Sequence, residues 1–220
     1  MATRSDVEAG QAVYTRPVLK IYDWLVLGLS NRWIWKCPTP RILALYDAHV
    51  SANHLDVGVG TGYYLDKCRF PSAEPRLALM DLNPQSLATA ARRVARYRPE
   101  QIQANVLEPL DREVMPFDSI GLNYLLHCLP GSIATKAVVF DHLQPLLNPG
   151  GTVFGATLLQ GDVERSATAR RLMAVYNAKG IFTNTEDDLA GLEVALADRF
   201  AEHTVEIVGC GALFSARAGP

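Results

Sequence analysis

The stretch HLDVGVGTGYYL, residues 54–65, constrains this chain more than any other. An apolar run carrying Asp56 leads into Gly58, Gly60 and Gly62 at alternate positions. Glycine takes positive φ without steric cost and leaves main-chain amides bare for a ligand. NHLDVGV therefore reads as a buried strand entering a loop, and YYLDKCRF as the helix that follows. In open α/β sheets ligands sit at the carboxyl ends of strands, where strand order reverses. The glycine loop is such a place.

Strand and helix signals alternate after it. RLALMDL, QIQANVL, FDSIGLNYLL and GTVFGATLL read as further strands, and HTVEIVG and GALFSARA as a hairpin through GCG. NPQSLATAARRVARYR is the clearest helix, with Asn83 as N-cap and Pro84 in the first position. Its Arg92, Arg93, Arg96 and Arg98 read as a solvated face near the negative end of the dipole. SIATKAVVFDHLQPLL is a helix closed by NPGG, and residues 162–179 another, ended by Gly180. Thr185 and Asp188 resemble a capping box for the next helix. Residues 13–50 read as helical pieces punctuated by Pro38 and Pro40. The expected class is α/β: a doubly wound seven-stranded sheet with an antiparallel last strand and an N-terminal helical cap. One domain is expected over 1–220, with residues 1–50 as cap and 51–220 as core.

Composition narrows the partners. The chain has 220 residues and a net charge of −2, without the basic stripe a nucleic-acid binder usually shows. Cys37, Cys68, Cys128 and Cys210 form no CxxC pair, so no metal site is expected and a reducing cytoplasm fits. MATRSDVEAG has no signal-peptide pattern, and IYDWLVLGLS is too short to span a bilayer. A soluble, cytoplasmic protein is expected.

Two acids flank the glycines. Asp56 anchors the loop or, through water, a ligand amino group. Asp81 ends the second strand, where a carboxylate accepts both hydroxyls of a ribose. Nicotinamide dinucleotides call for G-x-G-x-x-G/A, and the sixth position here is Tyr63. The pattern present is D-x-G-x-G-x-G.

LDVGVGTGYY, LMDLNPQSL, FDSIGLNYLLHCLPG and LNPGGTVF, in this order, resemble the class I S-adenosylmethionine (SAM)-dependent methyltransferase family, nearest to its small-molecule, ubiquinone/menaquinone type. The resemblance covers residues 50–218 and implies a Rossmann-like core. It implies that Gly58, Gly60, Thr61 and Gly62 wrap the methionine part of SAM. Asp81 would hold the ribose, with Leu82 against adenine. Asn105, with Val106 beside it, stands where the family commonly offers the adenine amino group an acid. Asn123 would sit near the methionine portion.

His127, after the fourth strand, is the candidate general base; its other reading is a hydrogen-bonded histidine under the cap. His54 and His142 read as structural. Tyr14, Tyr22, Trp33 and Trp35, with Asp23 and Trp24 nearby, either lid an apolar substrate or pack the cap. The expected activity is methyl transfer to a small, apolar or aromatic acceptor. A cyclase-like SAM enzyme or a non-catalytic SAM-binding partner is the alternative. NYLL stands where amino-methylating nucleic-acid enzymes carry Asn/Asp-Pro-Pro-aromatic, which argues against that class.

Overall fold

The computed structural model describes residues 30–220. Its frame is one seven-stranded sheet whose inner parallel strands are largely buried on both faces under helices, while the parallel edge strand exposes Glu100, Gln101 and Gln103. The strands are β1 (Asn53–Val57), β2 (Arg76–Asp81), β3 (Glu100–Gln103), β4 (Phe117–Asn123), β5 (Leu147–Leu158), β6 (Glu202–Val208) and β7 (Gly211–Arg217). Their order is β3-β2-β1-β4-β5-β7-β6. The chain leaves β1 in one direction and returns through β4 in the other, so the reversal lies between these strands, with Asp56 opposite Gly121. β7 runs antiparallel between β5 and β6, and the expected antiparallel hairpin closes that side with β6 outermost.

Successive side chains point to opposite faces, so the alternation builds two cores. Leu55, Met80, Ile120 and Phe214 pack on one side with α5 (Val138–Leu143) and α7 (Leu189–Ala197). Leu79, Phe154 and Leu213 pack on the other with α1 (Thr39–His49), α3 (Pro84–Arg93) and α6 (Ala167–Ala178). The short α2 (Tyr63–Lys67) follows the glycine loop, and α4 (Ile133–Lys136) precedes α5. None of the described helices is long and apolar enough to cross a membrane.

Local signals held at several ends. Asn83 caps α3 by accepting from the Gln85 amide at 2.8 Å, and Gly180 follows α6 at φ +67°. Others needed correcting. Asp188, not Thr185, caps α7, accepting from the Gly191 amide at 2.7 Å; the Thr185 hydroxyl donates to Asn177 instead. The helix over SIATKAVVFDHLQPLL breaks at Ala137 into α4 and α5, and then ends in a 3₁₀ turn at Gln144–Leu146, where Pro145 cannot continue it. NPGG lies inside β5 rather than before it. The register jumps from Phe117↔Leu147 to Ser119↔Thr152, so these residues form a bulge. Of the expected cap, α1 is present; Tyr14, Tyr22, Asp23 and Trp24 lie outside the described residues.

Candidate active site

The glycine loop lies at the carboxyl end of β1. Gly58, Gly60 and Gly62 have φ of +71°, +51° and +70°, a region where a Cβ costs about 1–2 kcal/mol. A Cβ on Gly58 would meet the Leu125 side chain at 3.0 Å, and one on Gly62 the Ala90 backbone at 3.0 Å. A Cβ on Gly60 would meet nothing within 4 Å. Two glycines thus let elements close up, while the third leaves the rim bare. Behind it, Arg93 donates to the Thr61 hydroxyl at 2.9 Å and ties α3 to the loop. That arginine is part-buried, so the solvated face expected for the four arginines holds only in part.

Beside the loop is a cavity of about 160 Å³. All ten residues expected at a cofactor line it: Asp56, Gly58, Gly60, Thr61, Gly62, Asp81, Leu82, Asn105, Val106 and Asn123. Asp81 accepts from the Asn83 amide at 2.8 Å. Burial pushes its carboxyl up to about 6, against the pull of the Asn83, Gly60 and Val59 amides. Asn105 donates to Glu108 at 2.9 Å, and its side-chain oxygen accepts from the Leu107 amide at 3.1 Å. One of the two lone pairs on that oxygen is therefore already engaged. Asn123 Oδ1 is buried without a hydrogen-bond partner.

These observations test the fit of SAM. An unpaired buried acceptor costs about 1–3 kcal/mol, and a ligand donor would relieve it. The methionine ammonium supplies such a donor, Asp81 offers a carboxylate to ribose hydroxyls, and Gly60 leaves the space. The residues fit the group.

Three expected residues lie elsewhere. His127 does not line the cavity and is 2% exposed. Its Nδ1 accepts from the Leu158 amide at 3.2 Å, and its ring packs edge-on to Phe182, centroids 4.6 Å apart. Burial, then the Lys136 charge, push it down to about 3, too weak a proton acceptor for a general base near neutral pH. The packing reading replaces the catalytic one. Trp35 is 2% exposed, sealed against Tyr176 and Phe182, and Trp33 is 68% exposed beneath Arg32. Neither lines the cavity, so the described part of the expected lid is packing and surface.

Tyr46 and Tyr124 line the cavity and were not foreseen there. Tyr46 stands on α1, and its hydroxyl donates to Asp56 at 2.8 Å, a contact between elements that local sequence does not signal. Tyr124 holds φ +55°, uncommon without glycine, and its hydroxyl donates to Asn31 at 3.2 Å. No periodicity signals that conformation.

Comparison with known proteins agrees with this geometry. The family described as "Methyltransferase domain" matches residues 55–153. The chain is 44% identical over 207 residues to demethylluteothin O-methyltransferase of Streptomyces thioluteus, covering 94% of this chain and 90% of that one. It is 39% identical over 220 residues to the physcion biosynthesis cluster O-methyltransferase of Aspergillus chevalieri, covering 98% of each. In fold it is similar to a solved DhpI–SAH complex, with a TM-score of 0.71, 16% identity and full coverage of both chains. The chain belongs to the class I SAM-dependent methyltransferase family.

Proposed function

We propose that this enzyme methylates an oxygen of a small, apolar or aromatic acceptor. What carries the reading is one cavity combining a bare glycine rim, the Asp81 carboxylate and the orphaned Asn123 oxygen. The O-methyltransferase names of its two relatives support oxygen as the acceptor atom.

SAM supplies a sulfonium-activated methyl group that needs no further activation by the protein. Asp81 would hold the ribose hydroxyls, and Asn105 and Val106 would meet the adenine edge. Asp56 and Asn123 would take the ammonium, and the bare glycine rim would leave room for the methionine part. Together these residues fix the direction of the methyl group, and alignment of this kind is worth about 7–11 kcal/mol in well-oriented systems. With SAM bound, the acceptor oxygen would gain the O–CH₃ bond as the S–CH₃ bond breaks, its electron pair passing to sulfur. The hydroxyl proton leaves to water.

The test is methyl-labelled SAM with a panel of phenols and enolisable hydroxyl compounds, beside amine and thiol analogues. Label on the oxygen compounds is expected. Label on the amines or thiols alone overturns the choice of atom, and no binding of SAM at millimolar concentration overturns the cofactor site.

A further inference from the structure

Beneath Asp56 lies a polar chain that the methyl-transfer chemistry leaves unused. His54, two residues earlier on β1, is fully buried, and its Nε2 has no hydrogen-bond partner. That nitrogen faces Asp56 Oδ1 at 3.6 Å. Gly121 opposite makes the room: a Cβ there would meet Asp56 Oδ1 at 2.5 Å and His54 Cε1 at 3.2 Å.

The hydrogen bonds on the far side of the ring fix its proton. The Ser51 hydroxyl donates to the Asn53 carbonyl at 2.8 Å. A hydroxyl has one proton, so the Ser119 hydroxyl, 2.8 Å from Ser51 Oγ, is the donor between those two. Ser119 Oγ also accepts from the Ser51 amide at 2.9 Å. Its own proton is committed, so its 2.8 Å contact with His54 Nδ1 has the imidazole as donor. Nδ1 therefore carries a hydrogen. In a neutral ring Nε2 would then be bare, its lone pair facing a carboxylate oxygen at 3.6 Å. A second ring proton removes that conflict.

The surroundings leave Asp56 as the partner charge. From α1, Tyr46 packs edge-on to the His54 ring and burial pushes its hydroxyl well up, while His49 packs on Phe154 and burial pushes its imidazole down. From α2 and its end come Tyr64, stacked on Tyr46, and Cys68, pushed up to about 12 by burial. Phe70 and Phe154 close the ring faces. Asp81 of β2 is the other carboxyl that senses Asp56.

Resting on the reading of Asp56 as the ammonium's partner, we propose that His54 is a positioning residue. Its doubly protonated ring pairs with the Asp56 carboxylate while the site is free, holds that carboxylate toward the cavity, and would release the Nε2 proton when the SAM ammonium takes its place. The bond lost is Nε2–H, its proton passes to solvent, and the imidazole stays as the Nδ1–H tautomer held by Ser119.

The wild-type enzyme is titrated with S-adenosylhomocysteine at about pH 7.5 in two buffers of different ionisation enthalpy, conditions under which Asp81 is already ionised. Release of about one proton per ligand is expected, with affinity falling about tenfold per pH unit on acidification. In His54→Asn, which keeps a donor toward Ser119, release at this pH should vanish. Heat independent of buffer in the wild type overturns the proposal. Ring nitrogen spectra of the wild type read the same event should the variant not fold: one of the five histidines should change from imidazolium to the Nδ1–H form on binding. Five unchanged rings overturn it. No binding in either buffer removes the cofactor site itself, a failure distinct from binding without proton release.

Discussion

Two groups of buried ionisable side chains lie at the carboxyl rim of the sheet, and they do opposite work. Asp56 and Asp81 line the cavity. On the far side of β4, Lys136 and Asp187 form a fully buried ion pair at 2.6 Å, with His127 near it. Lys136 also donates to the Thr183 carbonyl at 2.8 Å, which pins the segment between α6 and α7 onto α4. Each group holds one acid pushed up by burial, Asp81 in the first and Asp187 in the second, and a histidine, the usual marks of chemistry. What separates them is access. The first faces a cavity, while the second is fully buried and does not line it. A displaced pKa therefore locates function only where a ligand can reach the group.

The largest expected effect falls on the sealed group. Asp187→Ala leaves the Lys136 charge buried alone and should cost about 3–5 kcal/mol of stability in chemical denaturation. SAM affinity of the fraction still folded should stay within a few-fold. A large loss of affinity at full stability would reverse the two roles.

Next is Asp81→Asn. It should reduce SAM affinity by roughly 2–3 kcal/mol, measured calorimetrically, because charge-assisted hydrogen bonds are lost. In the wild type the acid must ionise to accept the ribose. Affinity should therefore fall as pH drops below about 6, and this acid limb should persist in His54→Asn. The stability linkage has the opposite sign. The raised value of Asp81 stabilises the free fold at acid pH, and that contribution fades as pH rises through about 6.

Gly60→Ala sharpens the comparison at the rim. Its φ of +51° costs about 1–2 kcal/mol of stability, while the new methyl projects into open space. The loss of SAM affinity should exceed the loss of stability; the reverse would mean that the loop is only a turn. The smallest effect is expected at Trp33→Ala. An exposed side chain away from the cavity should shift stability within about 0.5 kcal/mol and leave the KM for the acceptor unchanged.

Much of the frame was legible because short-range rules fixed it. Apolar runs bounded by glycine and proline placed all seven strands, and Asn83 and Gly180 marked helix ends as their backbone chemistry requires. The Thr185 cap and the end of the helix before β5 were misread. In each case a neighbour in sequence offered a competing arrangement: Asp188 three residues on, and Pro145 inside the run.

By itself the sequence determined the glycine loop, the acid ending β2 and the alternation that makes a parallel sheet, since each is written in adjacent residues. Only the tertiary structure decided which polar groups share a cavity. It moved His127 and Trp35 into the interior, left Trp33 outside, and set Tyr46 and His54 around Asp56. Burial and pairing across β1, β4 and α1 depend on residues distant in the chain, and no local pattern of residue types carries that information.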